Sequence, residues 1–101
     1  IITANLPYLT NKQFKSSPSI QHEPKLALVA KNNGLALYKK LLKQIKQVTC
    51  YKLHVTSFFE IDPSQSKSIT SLIKTILPTA NVQIIKDLAG LDRIVKVCYT
   101  I

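Results

Sequence analysis

The sequence predicts an α/β fold in which most strands run parallel and the last runs antiparallel. Three observations predict it. Segments with helical apolar spacing alternate with short runs of β-branched and aromatic residues, the pattern of a sheet with helices packed on it. The helical segments put enough chain between successive strands for parallel crossovers. The last two strand-like runs are joined only by a short connector, Asp87 to Asp92, which favours an antiparallel pair.

The elements follow in order. Ile1 to Ala4 reads as the end of a buried strand. Asn5-Leu6-Pro7-Tyr8 comes next, and the strand should stop there. Pro7 has no N–H to donate and pushes Leu6 into extended backbone. Residues 9–33 read as mostly loop, with Ser16, Ser17, Pro18, Ser19, Pro24, Asn32 and Asn33. A connection that long in a compact domain is often functional. After Gly34, the residues Leu35, Tyr38, Leu41, Leu42 and Ile45 recur at helical spacing, and Val48 extends the stripe. Lys39, Lys40, Lys43 and Lys46 fall largely on the other face, so the helix is amphipathic.

Residues 51–59 are rich in β-branched and aromatic types and read as a strand. Asp62-Pro63-Ser64-Gln65 is a helix start. Asp62 can cap, Pro63 suits the first position, and Gln65 sits where a capping box places an amide. Ile69, Leu72, Ile73, Ile76 and Leu77 then form one stripe, and Pro78 ends it. Asn81 to Lys86 is a short strand, and Arg93 to Ile101 is the last.

A chain of 101 residues is one small domain or part of a larger one. Apolar residues make up 46% and charged residues 19%, enough to build a core and the reverse of a disordered composition. No apolar run reaches the roughly 18 residues of a membrane span. The apolar N-terminus is short and has no basic flank, so a signal peptide is not expected and a cytoplasmic location is. The chain contains no methionine and opens within an apolar run. We therefore expect that a preceding part of the protein lies outside this sequence.

Cys50 and Cys98 match no metal spacing and are expected to be reduced and buried. The formal charge is +9, and Arg93 is the sole arginine. Lysine binds phosphate as a point charge, without the planar fork of arginine. With neither clustered arginine nor stacked aromatics, the charge reads mainly as a solubilising surface, and nucleic-acid binding is the weaker alternative.

The residues with the most chemistry are Asn5-Leu6-Pro7-Tyr8, at the carboxyl end of a strand, where open α/β sheets place ligands. Asn5 offers a donor and an acceptor. The Leu6 carbonyl is free of any ladder bond from Pro7, and Tyr8 supplies a flat face. Two acceptors here could take both hydrogens of a planar NH2 group and turn its lone pair toward a methyl donor. An ordinary strand-end turn uses the same residue types, and the four residues do not choose between the two readings.

Asn5-Leu6-Pro7-Tyr8 resembles the Asn/Asp-Pro-Pro-Tyr signature of amino-methyltransferases. Four further stretches are similar to the HemK/PrmC-type release factor glutamine methyltransferases. Glu23-Pro24-Lys25-Leu26-Ala27-Leu28 looks like that family's Glu-Pro-x-x-Ala-Leu. Gly34-Leu35-Ala36-Leu37-Tyr38 looks like its Gly-Leu-x-x-Tyr. Glu60-Ile61 with Gln65 looks like its Glu-Ile-Gly-x-x-Gln. Asp87-Leu88-Ala89-Gly90 with Asp92-Arg93 looks like its Asp-Leu-Ala-Gly-x-Asp-Arg. The matches run in the family's order along the whole chain.

The resemblance implies a fold: the C-terminal half of a Rossmann-like class I methyltransferase sheet, its final antiparallel strand inserted between two others. Residues 1–101 would be the substrate-site part of the catalytic domain, without the cofactor-binding half. Isolated, such a half would expose a sheet edge and tend to aggregate. The implied activity is methyl transfer from S-adenosylmethionine to a glutamine side-chain amide in peptide chain release factors. The implied site is Asn5, Leu6, Pro7 and Tyr8. Asn5 and Tyr8 would hold the substrate amide, and Asn5 would also meet the cofactor. Glu23 would orient the substrate loop or lie on the solvated surface.

This chain departs from the family at Leu6, where a second proline is usual, and at Asp62, where a glycine is usual. Val29 to Asn33 replaces a glycine-rich acidic stretch, and the glycine-rich cofactor loop is missing. The Asn-Leu-Pro-Tyr form also occurs in ribosomal-RNA adenine dimethyltransferases. An adenine N-methyltransferase acting on rRNA or DNA is thus the first alternative, and a non-catalytic interaction module the second.

The remaining polar residues suggest less. His22 and His54 stand away from ligand partners, and His54 reads as a core or edge histidine. Glu60 ends a strand at the ligand edge, with a capping or supporting role as the simpler reading. Asp92 and Arg93 read as a local structural ion pair. The serines have no His–Asp partners for hydrolase chemistry, and no metal site is expected.

Overall fold

The computed structural model describes residues 1–6, 11–16, 18, 34–48 and 53–100. The elements are β1 (Ile2–Ala4), α1 (Asn11–Ser16), α2 (Ala36–Gln47), β2 (His54–Glu60), α3 (Ser66–Ile76), β3 (Asn81–Lys86) and β4 (Asp92–Thr100), with a 3-10 turn at Pro63–Gln65 ahead of α3. The four strands form one sheet in the order β1-β2-β4-β3. β1 pairs parallel with β2, and β4 pairs antiparallel with both β2 and β3. Three strands therefore run the same way, and the last is inserted between two of them against their direction, as expected.

The described parts of the long connection include a helix, α1, where the sequence predicts loop. Lys12, Gln13 and Lys15 are good helix formers, and the Ser16 hydroxyl donates to the Gln13 carbonyl at 3.1 Å at the end of α1.

Alternation within the strands sorts the two faces of the sheet. Val55, Ser57 and Phe59 of β2 and Val95, Val97 and Tyr99 of β4 are buried against the helices. Register places Ser57 beside Val97 and Phe59 beside Val95, so these side chains form continuous rows across the central pair. Ile2 and Ala4 of β1 and Val82 and Ile84 of β3 extend the rows outward. On the helix side, Tyr38, Leu42 and Ile45 of α2 and Ile69, Ile73 and Ile76 of α3 close the core. Each such side chain contributes about 1.5–3 kcal/mol on burial.

Local chemistry starts and stops these helices. Gly34, with φ at 79°, makes the left-handed turn that leads into α2. The expected capping box forms ahead of α3: Gln65 Oε1 accepts from the Asp62 N–H at 3.0 Å, and Asp62 Oδ2 accepts from the Ser64 N–H at 3.0 Å. Pro78 follows the last turn of α3, where the Leu77 N–H closes on the Ile73 carbonyl at 2.7 Å.

The opposite sheet face is only partly covered. It carries Thr56, Phe58 and Glu60 of β2 and Ile94, Lys96 and Cys98 of β4, all half-buried. Cys98 was expected to be buried, but the strand alternation turns it away from the core. Its free thiol lies 3.8 Å from Thr56 Oγ1. Cys50 lies outside the described residues.

Candidate functional site

Because β1 and β2 are parallel, their carboxyl ends meet at one edge of the sheet. Ala4 pairs with Phe59, so Asn5 and Glu60 are the next residues along the two chains. A cleft of about 280 Å³ opens there on the partly covered face, lined by Thr3, Ala4, Asn5, Phe58, Glu60 and Ile94. Asn5 is exposed, and Leu6 beside it is half-buried and packs against the core. The Leu6 side chain thus anchors the segment that presents Asn5. Pro7, Tyr8 and Glu23 lie outside the described residues.

Glu60 is held firmly at its backbone. Tyr38, fully buried on α2, donates its phenol to the Glu60 carbonyl. Its ring packs on Phe59 with centroids 5.7 Å apart. The next residue, Ile61, is also fully buried, and its N–H donates to the Arg93 carbonyl at 2.8 Å. Strand alternation puts Glu60 on the sheet face of Phe58, and both residues line the cleft. The sequence had suggested a capping or supporting role, but the structure makes Glu60 part of the lining. Thr3, Phe58 and Ile94 were not singled out from the sequence. Period-two spacing puts Thr3 on the face of Asn5 and Phe58 on the face of Glu60, whereas Ile94 joins them only through the β2–β4 register.

The polarity of the cleft is mixed. Asn5 and Thr3 can donate and accept, Glu60 accepts, and Ala4, Phe58 and Ile94 are apolar. Lys96, on the same face, holds its ammonium 5.9 Å from the Phe58 ring centroid and is not among the lining residues.

The β3–β4 turn flanks the same edge. Asp92 and Arg93 were expected to pair with each other, yet neighbours in a strand point to opposite faces. Asp92 bonds instead to Lys86 at 3.0 Å, and Arg93 to Asp87 at 3.2 Å. The Leu91 N–H holds the Asp87 carboxyl below its ordinary range, and the Arg93 guanidinium and the Ala89 N–H add to this. The Ser66 hydroxyl and then Lys86 do the same for Asp92. Gly90, at φ 80°, closes the turn. These charges brace the edge of the sheet and do not line the cleft.

At the opposite edge, a cleft of about 320 Å³ is lined by His54, Thr56, Thr79, Cys98 and Thr100, among others. His54 is exposed at the start of β2, with Nδ1 2.9 Å from Thr100 Oγ1. This is the amino end of the parallel strands, away from the edge where such sheets bind ligands. His22 lies outside the described residues.

Among the described residues, no glycine-rich turn follows a parallel strand. Among the described residues, no three His, Cys, Asp or Glu side chains gather as a metal site. No described helix is long and apolar enough to cross a membrane.

Comparison with known proteins agrees with the ordered motifs. The chain is 34% identical over 96 residues to the release factor glutamine methyltransferase of Enterococcus faecalis, a match covering 93% of the chain and 34% of that protein. It is 32% identical over 97 residues to that of Bacillus anthracis, covering 94% and 34%. It is 34% identical over 97 residues to that of Staphylococcus aureus, again covering 94% and 34%. The chain thus spans about a third of the length of the curated relatives it matches. No family model matches the sequence.

Proposed function

Since this sequence belongs with the release factor glutamine methyltransferases over more than nine-tenths of its length, we propose that the protein methylates a glutamine side-chain amide in a peptide chain release factor. Residues 1–101 then form the C-terminal, substrate-site part of a catalytic domain that works in the cytoplasm. The observation that carries the acceptor site is the cleft in which Asn5 meets the end of β2.

S-adenosylmethionine would supply the methyl group, and Asn5 is the residue of this chain that would meet it. The residues of this chain position the acceptor. Asn5 Oδ1 and the Leu6 carbonyl would accept hydrogen bonds from the two amide hydrogens, Pro7 would shape the turn and Tyr8 would pack on the amide, and the nitrogen would give up one proton to water after the transfer. The rate comes from holding the nitrogen in line and keeping water out. Glu23 is the further substrate-binding residue that the resemblance implies.

The test is transfer of labelled methyl by the full-length protein, with release factor and ribosomal RNA offered together. Label on the release factor that vanishes in Asn5→Ala supports the reading, and a release factor left unlabelled sinks it. The second reading is adenine N-methylation of rRNA or DNA, to which the exposed lysines of α2 would attract the nucleic acid, and label on RNA alone would support it.

A further inference from the structure

We infer that the outer face of α2 is a docking track for an acidic surface of the protein substrate. The inference rests on the glutamine reading above and adds to it the face by which the substrate protein is drawn in. Lys39, Lys40, Lys43 and Lys46 are all exposed on α2. At 3.6 residues per turn they fall within an arc of about 120°, and Lys39 to Lys46 spans about 10 Å along the axis. The arc is turned away from Tyr38, Leu42 and Ile45, which are buried in the core. The helix contains no acidic residue. The described carboxylates lie elsewhere: Glu60 ends β2, Asp62 caps the turn ahead of α3, and Asp87 and Asp92 pair with Arg93 and Lys86.

Composition alone reads these lysines as solubilising, and their placement says more. A surface built for solubility intersperses both signs. α2 instead sets Lys39 and Lys43 four residues apart, with Lys40 and Lys46 each three from Lys43. Like charges four apart destabilise a helix, and Lys39 and Lys40, near the amino end, also oppose its dipole. A carboxylate-bearing surface laid on the track relieves that repulsion. The same field draws an acidic partner in from solution and raises its rate of encounter. The occupant is acidic protein and not nucleic acid, because the face carries ammonium groups and no arginine fork for phosphate. The one aromatic of α2, Tyr38, is fully buried and cannot stack on a base. The track also begins beside the acceptor cleft. Tyr38 bonds to the Glu60 carbonyl at the rim, and Lys39 is the next residue, in the helical turn fixed to that rim.

The test is the kinetics of labelled methyl transfer to release factor by the full-length protein at two salt concentrations. These are about 0.01 M and about 0.15 M, between which the screening length falls from about 30 Å to about 8 Å. The variant carries Lys39→Gln, Lys40→Gln, Lys43→Gln and Lys46→Gln together. Glutamine is as good a helix former as lysine, so the fold is kept. At the lower salt KM should rise about tenfold and kcat should stay within about twofold, because the track acts on encounter and not on transfer. Raising the salt should remove most of the wild-type advantage and leave the variant nearly unchanged. The four Lys→Arg changes keep the charge and should keep the wild-type KM. A glutamine variant that melts like wild type and shows the wild-type KM at both salts overturns the inference. So does a glutamine variant that loses binding to ribosomal RNA while its KM for release factor is unchanged, which assigns the track to nucleic acid. In both cases wild type still methylates release factor, and the glutamine reading stands. If wild type leaves release factor unmethylated, that reading falls and this inference with it.

Discussion

The phenol of Tyr38 donates a hydrogen bond to the backbone carbonyl of Glu60, tying α2 to the end of β2 at the rim of the cleft. One buried side chain thereby joins helix packing to site geometry. Tyr38→Phe keeps the ring against Phe59 and loses this bond. Stability should fall by about 1 kcal/mol, read from urea unfolding midpoints. Transfer should fall as well, because the strand end that carries Glu60 is less firmly held. A variant as stable and as active as wild type would show that the bond does not contribute.

Asn5 is exposed, so its removal tests chemistry apart from folding. Asn5→Ala should change stability by less than about 0.5 kcal/mol. Methyl transfer to release factor should drop by about 100-fold or more, the usual loss when a positioned hydrogen-bonding group is taken from a reacting centre. Parallel melting curves and transfer rates measure both. A large drop in melting temperature would move Asn5 from the site to the fold.

The elements themselves were legible because their causes are local. The α3 cap uses residues three apart, Asp62 and Gln65, and the pattern alone identifies it. The α2 stripe of Tyr38, Leu42 and Ile45 is equally local. The cleft was only half legible. Asn5 was marked by the proline after its neighbour, but Ile94 reaches it across a register between residues far apart in sequence. The partners of Asp92 and Arg93 were misread for the same reason, since cross-strand contacts in a hairpin depend on its turn and on side-chain alternation. The insertion of β4 between β2 and β3 followed from the family resemblance and not from spacing.

The Asp87 carboxylate accepts from the Ala89 N–H at 2.9 Å, the Leu91 N–H at 3.0 Å and Arg93 Nε at 3.2 Å. The Leu91 bond is the largest cause of its lowered pKa. A group whose pKa is lower folded than unfolded stabilises the fold above the unfolded value. That stability is lost as pH falls from about 4 through the folded value. Asp92, lowered by Ser66 and Lys86, acts in the same direction. Urea midpoints should therefore decline on the acid side, and Asp87→Asn should flatten that decline. An unchanged acid limb in Asp87→Asn would assign it to other carboxylates.

The capping box ahead of α3 permits a test of coupling. Asp62 stops the chain from entering the helix too early and accepts from the Ser64 N–H, while buried Gln65 returns an acceptor to the Asp62 N–H at 3.0 Å. Asp62→Ala removes the cap and should cost about 1 kcal/mol. Gln65→Leu keeps much of the buried volume but withdraws the acceptor, and should cost about 1–2 kcal/mol. The two bonds brace one turn, and losing either loosens the geometry the other needs. The double variant should therefore lose less than the two single losses added together, by about 0.5 kcal/mol or more. Strict additivity would mean that each bond holds without the other. The turn matters beyond α3 because it begins two residues after Glu60, so a frayed cap reaches the strand end at the cleft. Asp62→Ala should for that reason lower methyl transfer to release factor more than a core change of equal stability cost, such as Ile76→Val in the last turn of α3.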